Sequence, residues 1–132
     1  MPNNDEVATV LQRTPDSALD TDQAVNEGDA LYCAACGNLA TRGRWRISVG
    51  GDHAHTLANP AGLVFHVDCY KEAPGIRAEG EPTAELTWFR SYDWQIAHCG
   101  ACSVQLGWLF TGEQAPAVFF GLIRPRLTDR AP

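Results

Sequence analysis

The chain has 132 residues, room for one ordinary domain, and its 10 Lys plus Arg against 16 Asp plus Glu leave a net charge of −6. That balance argues against the basic face that nucleic-acid backbone recognition needs, and no stretch approaches the roughly 18 apolar residues of a membrane span. Hydrophobic residues make up 45%, enough for a packed core.

The charge is unevenly placed. Residues 1–29 hold seven acids and one base, whereas residues 30–132 hold nine of each. Few large apolar side chains interrupt the first segment, so it reads as an acidic, flexible N-terminal tail with one helical turn near Pro15–Leu19. Its first residues, Met-Pro-Asn-Asn-Asp-Glu, lack the basic and apolar regions of a secretory signal, and a reducing, cytoplasmic location is the expectation.

From residue 30 onward the apolar period is two. Trp45, Ile47 and Val49 alternate with polar residues, and Gly50-Gly51 then supplies a turn. His53 and His55 read as part of a polar loop. Leu63, Phe65 and Val67 mark a strand, Leu86 and Trp88 a short run, and Trp94, Ile96 and His98 another strand. Val104, Leu106, Trp108 and Phe110 line one face of a later strand. Ala117–Ile123 is apolar on both faces, the pattern of a strand buried between layers. An all-β domain over 30–125 with a C-terminal tail over 126–132 follows.

Cys33-Ala-Ala-Cys36-Gly and Cys99-Gly-Ala-Cys102 are two paired-cysteine turns with 62 residues between them. A two-residue spacer lets both thiolates of a tight turn face one ion, and two such turns complete a tetrahedral Zn2+ site. Four thiolates leave no open position, so the ion is structural, and such binding contributes roughly 10–16 kcal/mol in small domains. A redox pair or a disulfide is the competing assignment, but no βαβ pattern surrounds either turn. Gly37 and Gly100 suit the backbone geometry of these turns. His98, next to Cys99, reads as a residue that orients its turn. Cys69 is left over and reads as an inert core thiol.

Four tryptophans remain to be placed. Trp45 reads as core. Trp88 and Trp94 flank a turn-like segment, and Trp108 follows Gly107, which leaves room for something to approach. Three converging indoles would form an aromatic cage.

Paired cysteine turns bracketing Asn59-Pro60 and Trp88-Phe89-x-x-Tyr92-x-Trp94, followed by Gly107-Trp108-x-Phe110, resemble the cereblon thalidomide-binding (CULT) domain family over about residues 30–125. The resemblance implies a β-tent of two antiparallel sheets pinned by a four-cysteine zinc site on Cys33, Cys36, Cys99 and Cys102. It implies non-catalytic binding of cyclic imides, such as glutarimide, or of uridine-like rings in a cage of Trp88, Trp94 and Trp108. Phe110 closes the floor, Leu86 and Trp88 offer main-chain hydrogen bonds, Asn59 and Pro60 lie on the adjoining loop, and Phe65 faces them. Eukaryotic members carry His where this chain has Leu86 and Phe65, which alters ligand selectivity more than ring recognition. The expected partners are a free small molecule or a C-terminal cyclic imide on a protein, with no nucleic acid, membrane or ligase adaptor.

Two other functions compete. A methionine sulfoxide reductase B-like enzyme would use Cys69 as nucleophile, yet Val67-Asp68-Cys69-Tyr70-Lys71 lacks the Arg-x-Cys-x-Asn setting. An aromatic-cage reader of methylated ammonium groups would exploit the attraction of cations to indole faces, helped by Glu85 and Asp93.

Overall fold

The structure, a computed structural model, describes residues 28–131. The acidic segment 1–29, with its expected helical turn at 15–19, lies outside the described residues except for Gly28 and Asp29. Contacts divide the chain after Ala30, and the unit from Leu31 onward holds everything below apart from the first residue of β1.

The described residues contain no α-helix, and no helix among them is long and apolar enough to cross a membrane. They form two antiparallel sheets, as expected. The smaller sheet joins β1 (Ala30–Cys33), β2 (Leu39–Arg42) and β9 (Leu127–Thr128) in the order β2-β1-β9. The larger has six strands: β3 (Ala54–Ala58), β4 (Val64–Tyr70), β5 (Ile76–Thr83), β6 (Tyr92–Cys99), β7 (Gln105–Gly112) and β8 (Val118–Ile123). Their order is β3-β4-β8-β7-β6-β5. β9 lies within the segment expected as a C-terminal tail and pairs with β1 through Tyr32–Thr128 and Cys33–Leu127.

β8 lies between β4 and β7, which explains why it is apolar on both faces. Phe119 and Leu122 are fully buried. Phe119 stacks on Phe110 of β7 at 4.9 Å and takes Phe89 and Tyr92 edge-on at 5.1 and 5.0 Å. The Tyr92 hydroxyl donates to the Pro116 carbonyl at 2.6 Å, so its polar end is satisfied although the ring is buried. A second, smaller cluster gathers Ala40 and Leu106 around Cys33 and Cys99.

Three local expectations are corrected. Residues 44–49 are no strand: a 3₁₀ turn spans Gly43–Trp45, and only isolated bridges, Arg46 to Tyr70 and Val49 to Asp52, follow. The alternation still buries apolar groups, but in two places. Trp45 packs near Tyr70 and Leu122, while Ile47 and Val49 join the aromatic cluster. His55 sits in a strand, β3, and not in a polar loop, because β4 supplies a full antiparallel ladder opposite residues 54–58. Leu86 and Trp88 fall in a turn: the Thr87 N–H donates to the Ala84 carbonyl at 3.2 Å, and Leu86 has φ +56°. The run is too short to pair as a strand.

Candidate functional site

The two paired-cysteine turns come together although 62 residues separate them. All four sulfurs lie within 4.8 Å of one another. The nearest approaches cross between turns, Cys33 Sγ to Cys102 Sγ at 3.8 Å and Cys36 Sγ to Cys99 Sγ at 3.6 Å. A disulfide requires about 2.05 Å, whereas sulfurs about 2.3 Å from a central ion form a tetrahedron with edges of about 3.8 Å. The residues present fit a four-sulfur metal site.

Both turns use the same hydrogen-bond pattern. Gly37 N–H donates to the Cys33 carbonyl at 2.8 Å and Ser103 N–H to the Cys99 carbonyl at 3.0 Å. Cys33 N–H then donates to Asn38 and Cys99 N–H to Val104, each at 2.8 Å. The left-handed residue is the fourth after the first cysteine in each turn, Gly37 at φ +84° and Ser103 at φ +68°. Ser103, and not Gly100, therefore takes the second left-handed position, and it is held from two sides. Arg77 Nη2 donates to its hydroxyl at 3.2 Å, and His98 Nδ1 lies 3.1 Å from its carbonyl. Main-chain N–H groups also face sulfur: Asn38 to Cys36 and Ala101 to Cys99, both at 3.4 Å. Burial opposes ionisation of Cys99, but the N–H groups of Cys102 and Ala101, together with the Cys36 and Cys102 thiols, outweigh it and lower the thiol to about 6.

A second feature is a cavity of about 510 Å³ lined by Asn59, Pro60, Leu63, Phe65, Leu86, Trp88, Trp94, Ile96, Gln105, Trp108, Phe110 and Arg126. All eight residues singled out for ligand contact line it, although they come from four separate stretches of chain. Trp108 meets Trp88 edge to face at 4.7 Å, and Phe65 packs against both indoles. Each outer indole is anchored by its N–H. Trp88 Nε1 donates to the Ala58 carbonyl at 2.9 Å and Trp94 Nε1 to the Glu85 carbonyl at 2.8 Å. Asn59 turns its side chain back on its own loop, accepting from Ala61 and Leu63 N–H groups at 3.0 Å each. Its carbonyl oxygen therefore shapes the loop. Leu86 is 70% exposed, and its main chain makes no hydrogen bond among the described residues.

Curated proteins of similar sequence are cereblons. The chain is 31% identical to protein cereblon of Gallus gallus over 114 residues, covering 82% of this chain and 25% of that protein. It is 35% identical to protein cereblon of Xenopus tropicalis over 109 residues, covering 78% and 24%, and 34% identical to that of Danio rerio, covering 78% and 25%. The chain carries a cereblon-like domain. It spans about a quarter of the length of these relatives. No protein-family model matches the chain.

Four residues that line the cavity escaped the sequence reading: Leu63, Ile96, Gln105 and Arg126. Gln105 is the instructive one. Strict alternation along β7 puts it on the face opposite Leu106, Trp108 and Phe110. A bulge changes that: Ala97 pairs with Gly107 and His98 with Gln105, leaving Leu106 as the extra residue. Gln105 thereby joins the face of Trp108. Arg126 ends a 3₁₀ turn, Arg124–Arg126, and its Nη1 donates to the Gln105 carbonyl at 2.9 Å.

The role expected of Gly107 is corrected as well. Its missing side chain makes room for β8 and not for a ligand, since a Cβ there would stand 2.0 Å from the Gly121 carbonyl oxygen. Cys69 is fully buried, and burial pushes its thiol up to about 12, with the Asp68 carboxylate adding to the shift. No group beside it activates it as a nucleophile.

Proposed function

We propose that this cereblon-like domain is a non-catalytic receptor for neutral cyclic imides or uridine-like rings, held in a cage of Trp88, Trp94 and Trp108. One observation carries it. Residues from four separate stretches meet around one cavity whose walls are three indoles and two phenyl rings. A glutarimide has ring C–H groups made positive by two carbonyls, which suits the negative faces of indoles. Its N–H and flanking carbonyls need an acceptor and donors at one edge, and the unpaired main chain at Leu86 and Trp88 offers both. For about eight heavy atoms an efficiency of roughly 0.5–1 kcal/mol per atom corresponds to millimolar to micromolar affinity.

We assign the four-sulfur site to one structural Zn2+ held by Cys33, Cys36, Cys99 and Cys102. The ion would tie β1 and its following turn to the end of β6, and with four thiolates it leaves no position for substrate.

The competing enzyme would need Cys69 as thiolate, and its burial and raised pKa weigh against that. A methyl-ammonium reader would need a pocket without fixed positive charge, and Arg126 lines this one. The test is a titration of the metal-loaded protein with glutarimide and with uridine, read by tryptophan fluorescence. Saturable quenching by either ring is expected. No response in the folded, metal-loaded protein overturns the assignment, and tighter binding of trimethyllysine than of either ring replaces it with the ammonium reader.

A further inference from the structure

Arg126 is the one charged residue among those lining the aromatic cavity. The only hydrogen bond of its guanidinium among the described residues runs from Nη1 to a neutral partner, the Gln105 carbonyl, and it makes no ion pair there. The nearby Arg124, by contrast, is held in a bidentate pair with Asp68. Glu85, which holds Trp94 through its carbonyl, does not line the cavity. Since residues 30–132 balance nine acids with nine bases, this positive charge is a local property of the pocket and not a general field.

We infer that Arg126 selects ligands whose ring carries an anionic substituent, a carboxylate in the first instance, directed from the indoles toward the Gln105–Arg126 side of the cavity. The inference rests on the ring-binding function above and adds the chemical class of the ring's substituent. A guanidinium presents a planar fork of donors matched to a carboxylate, and one terminal nitrogen fixed on Gln105 leaves the rest of the fork oriented for a second partner. Beside apolar walls the pair is less screened than on an open surface.

Two probes that differ only in a terminal carboxylate test this: 3-propionamidoglutarimide and 3-(succinylamino)glutarimide, titrated into the metal-loaded protein by tryptophan fluorescence. The charged probe is expected to bind about five- to tenfold tighter, corresponding to about 1–1.4 kcal/mol, with the margin shrinking as salt rises from 0.05 to 0.5 M. Arg126→Gln should abolish the margin by weakening the charged probe selectively, whereas Arg126→Lys, which keeps the charge and loses the fork, should retain part of it. Equal affinities in the unaltered protein, or equal weakening of both probes by Arg126→Gln, overturns the inference and leaves ring binding intact. Silence toward both probes overturns ring binding itself and the inference with it.

Discussion

The Trp108 indole meets that of Trp88 edge to face, with ring centroids 4.7 Å apart and planes at 83°, and Phe65 meets the same Trp108 ring at 5.3 Å and 79°. These walls brace one another and need no ligand to hold them open. Trp94 shares no such ring contact with them; it packs against the edge of the core, and its Nε1 donates to the Glu85 carbonyl at 2.8 Å, tying down the 84–87 turn. Trp94→Phe should therefore keep the core and release the 84–87 turn, weakening glutarimide binding about three- to tenfold with little change in melting temperature. Trp108→Ala should lose binding altogether and about 3–5 kcal/mol of stability as well, because that ring is buried. Titration and thermal melting on the two variants separate these effects.

Gly107 is fixed by the backbone of the next strand. A Cβ there would meet the Gly121 oxygen at 2.0 Å and the Leu122 Cα at 2.9 Å, and neither is the movable end of a side chain. Gly107→Ala must push β7 from β8 at the centre of the sheet. The expected loss exceeds the usual overpacking range of about 1–3 kcal/mol, read as the shift in the urea unfolding midpoint.

What the sequence revealed and what it hid have physical causes. Cysteine spacing was legible because two thiolates of one tight turn can reach a common ion only at short separations. The indoles were legible because their motifs occur in a fixed order. The Leu86 turn was hidden because a hydrophobic alternation of two residues looks alike in a strand and in a loop that covers a pocket. Gln105 was hidden by a bulge, which reverses facing without any change in composition. Arg126 and β9 were hidden because pairing with a strand some ninety residues earlier leaves no local periodicity.

Asp68 is 9% exposed and receives both Nε and Nη2 of Arg124, at 3.1–3.2 and 2.8 Å. A second basic group, His53 Nε2, stands 4.0 Å away. Arg124→Ala should strand a buried carboxylate and destabilise the domain by about 1–3 kcal/mol, the lower part of the range reflecting the guanidinium's partial exposure. Asp68→Asn together with Arg124→Ala should recover part of that loss, and a double-mutant cycle in urea measures it.

Metal removal gives a site-specific outcome. Chelation at neutral pH should unfold the domain, since Ala40 and Leu106 form only a small cluster around Cys33 and Cys99 and cannot hold both turns alone. Cys33→Ser or Cys99→Ser should abolish stoichiometric zinc, measured by elemental analysis, whereas Cys69→Ser should retain one zinc per chain. Loss of zinc in Cys69→Ser would contradict the four-cysteine assignment.

Cys69 also sets an alkaline limit. Burial first, and then the Asp68 carboxylate, raise its thiol to about 12, so the folded chain holds this proton more tightly than the unfolded chain, where it leaves near pH 8.5. The stability it contributes is therefore complete below about pH 8.5 and declines as pH rises toward 12. Cys69→Ala removes this dependence but not that of Tyr70, whose hydroxyl is also raised by burial. Melting temperatures measured at pH 8 and pH 10.5 should thus fall less in Cys69→Ala than in the unaltered protein. Parallel falls would mean that the folded protein lets Cys69 ionise, and alkylation of Cys69 at pH 8 would show the same.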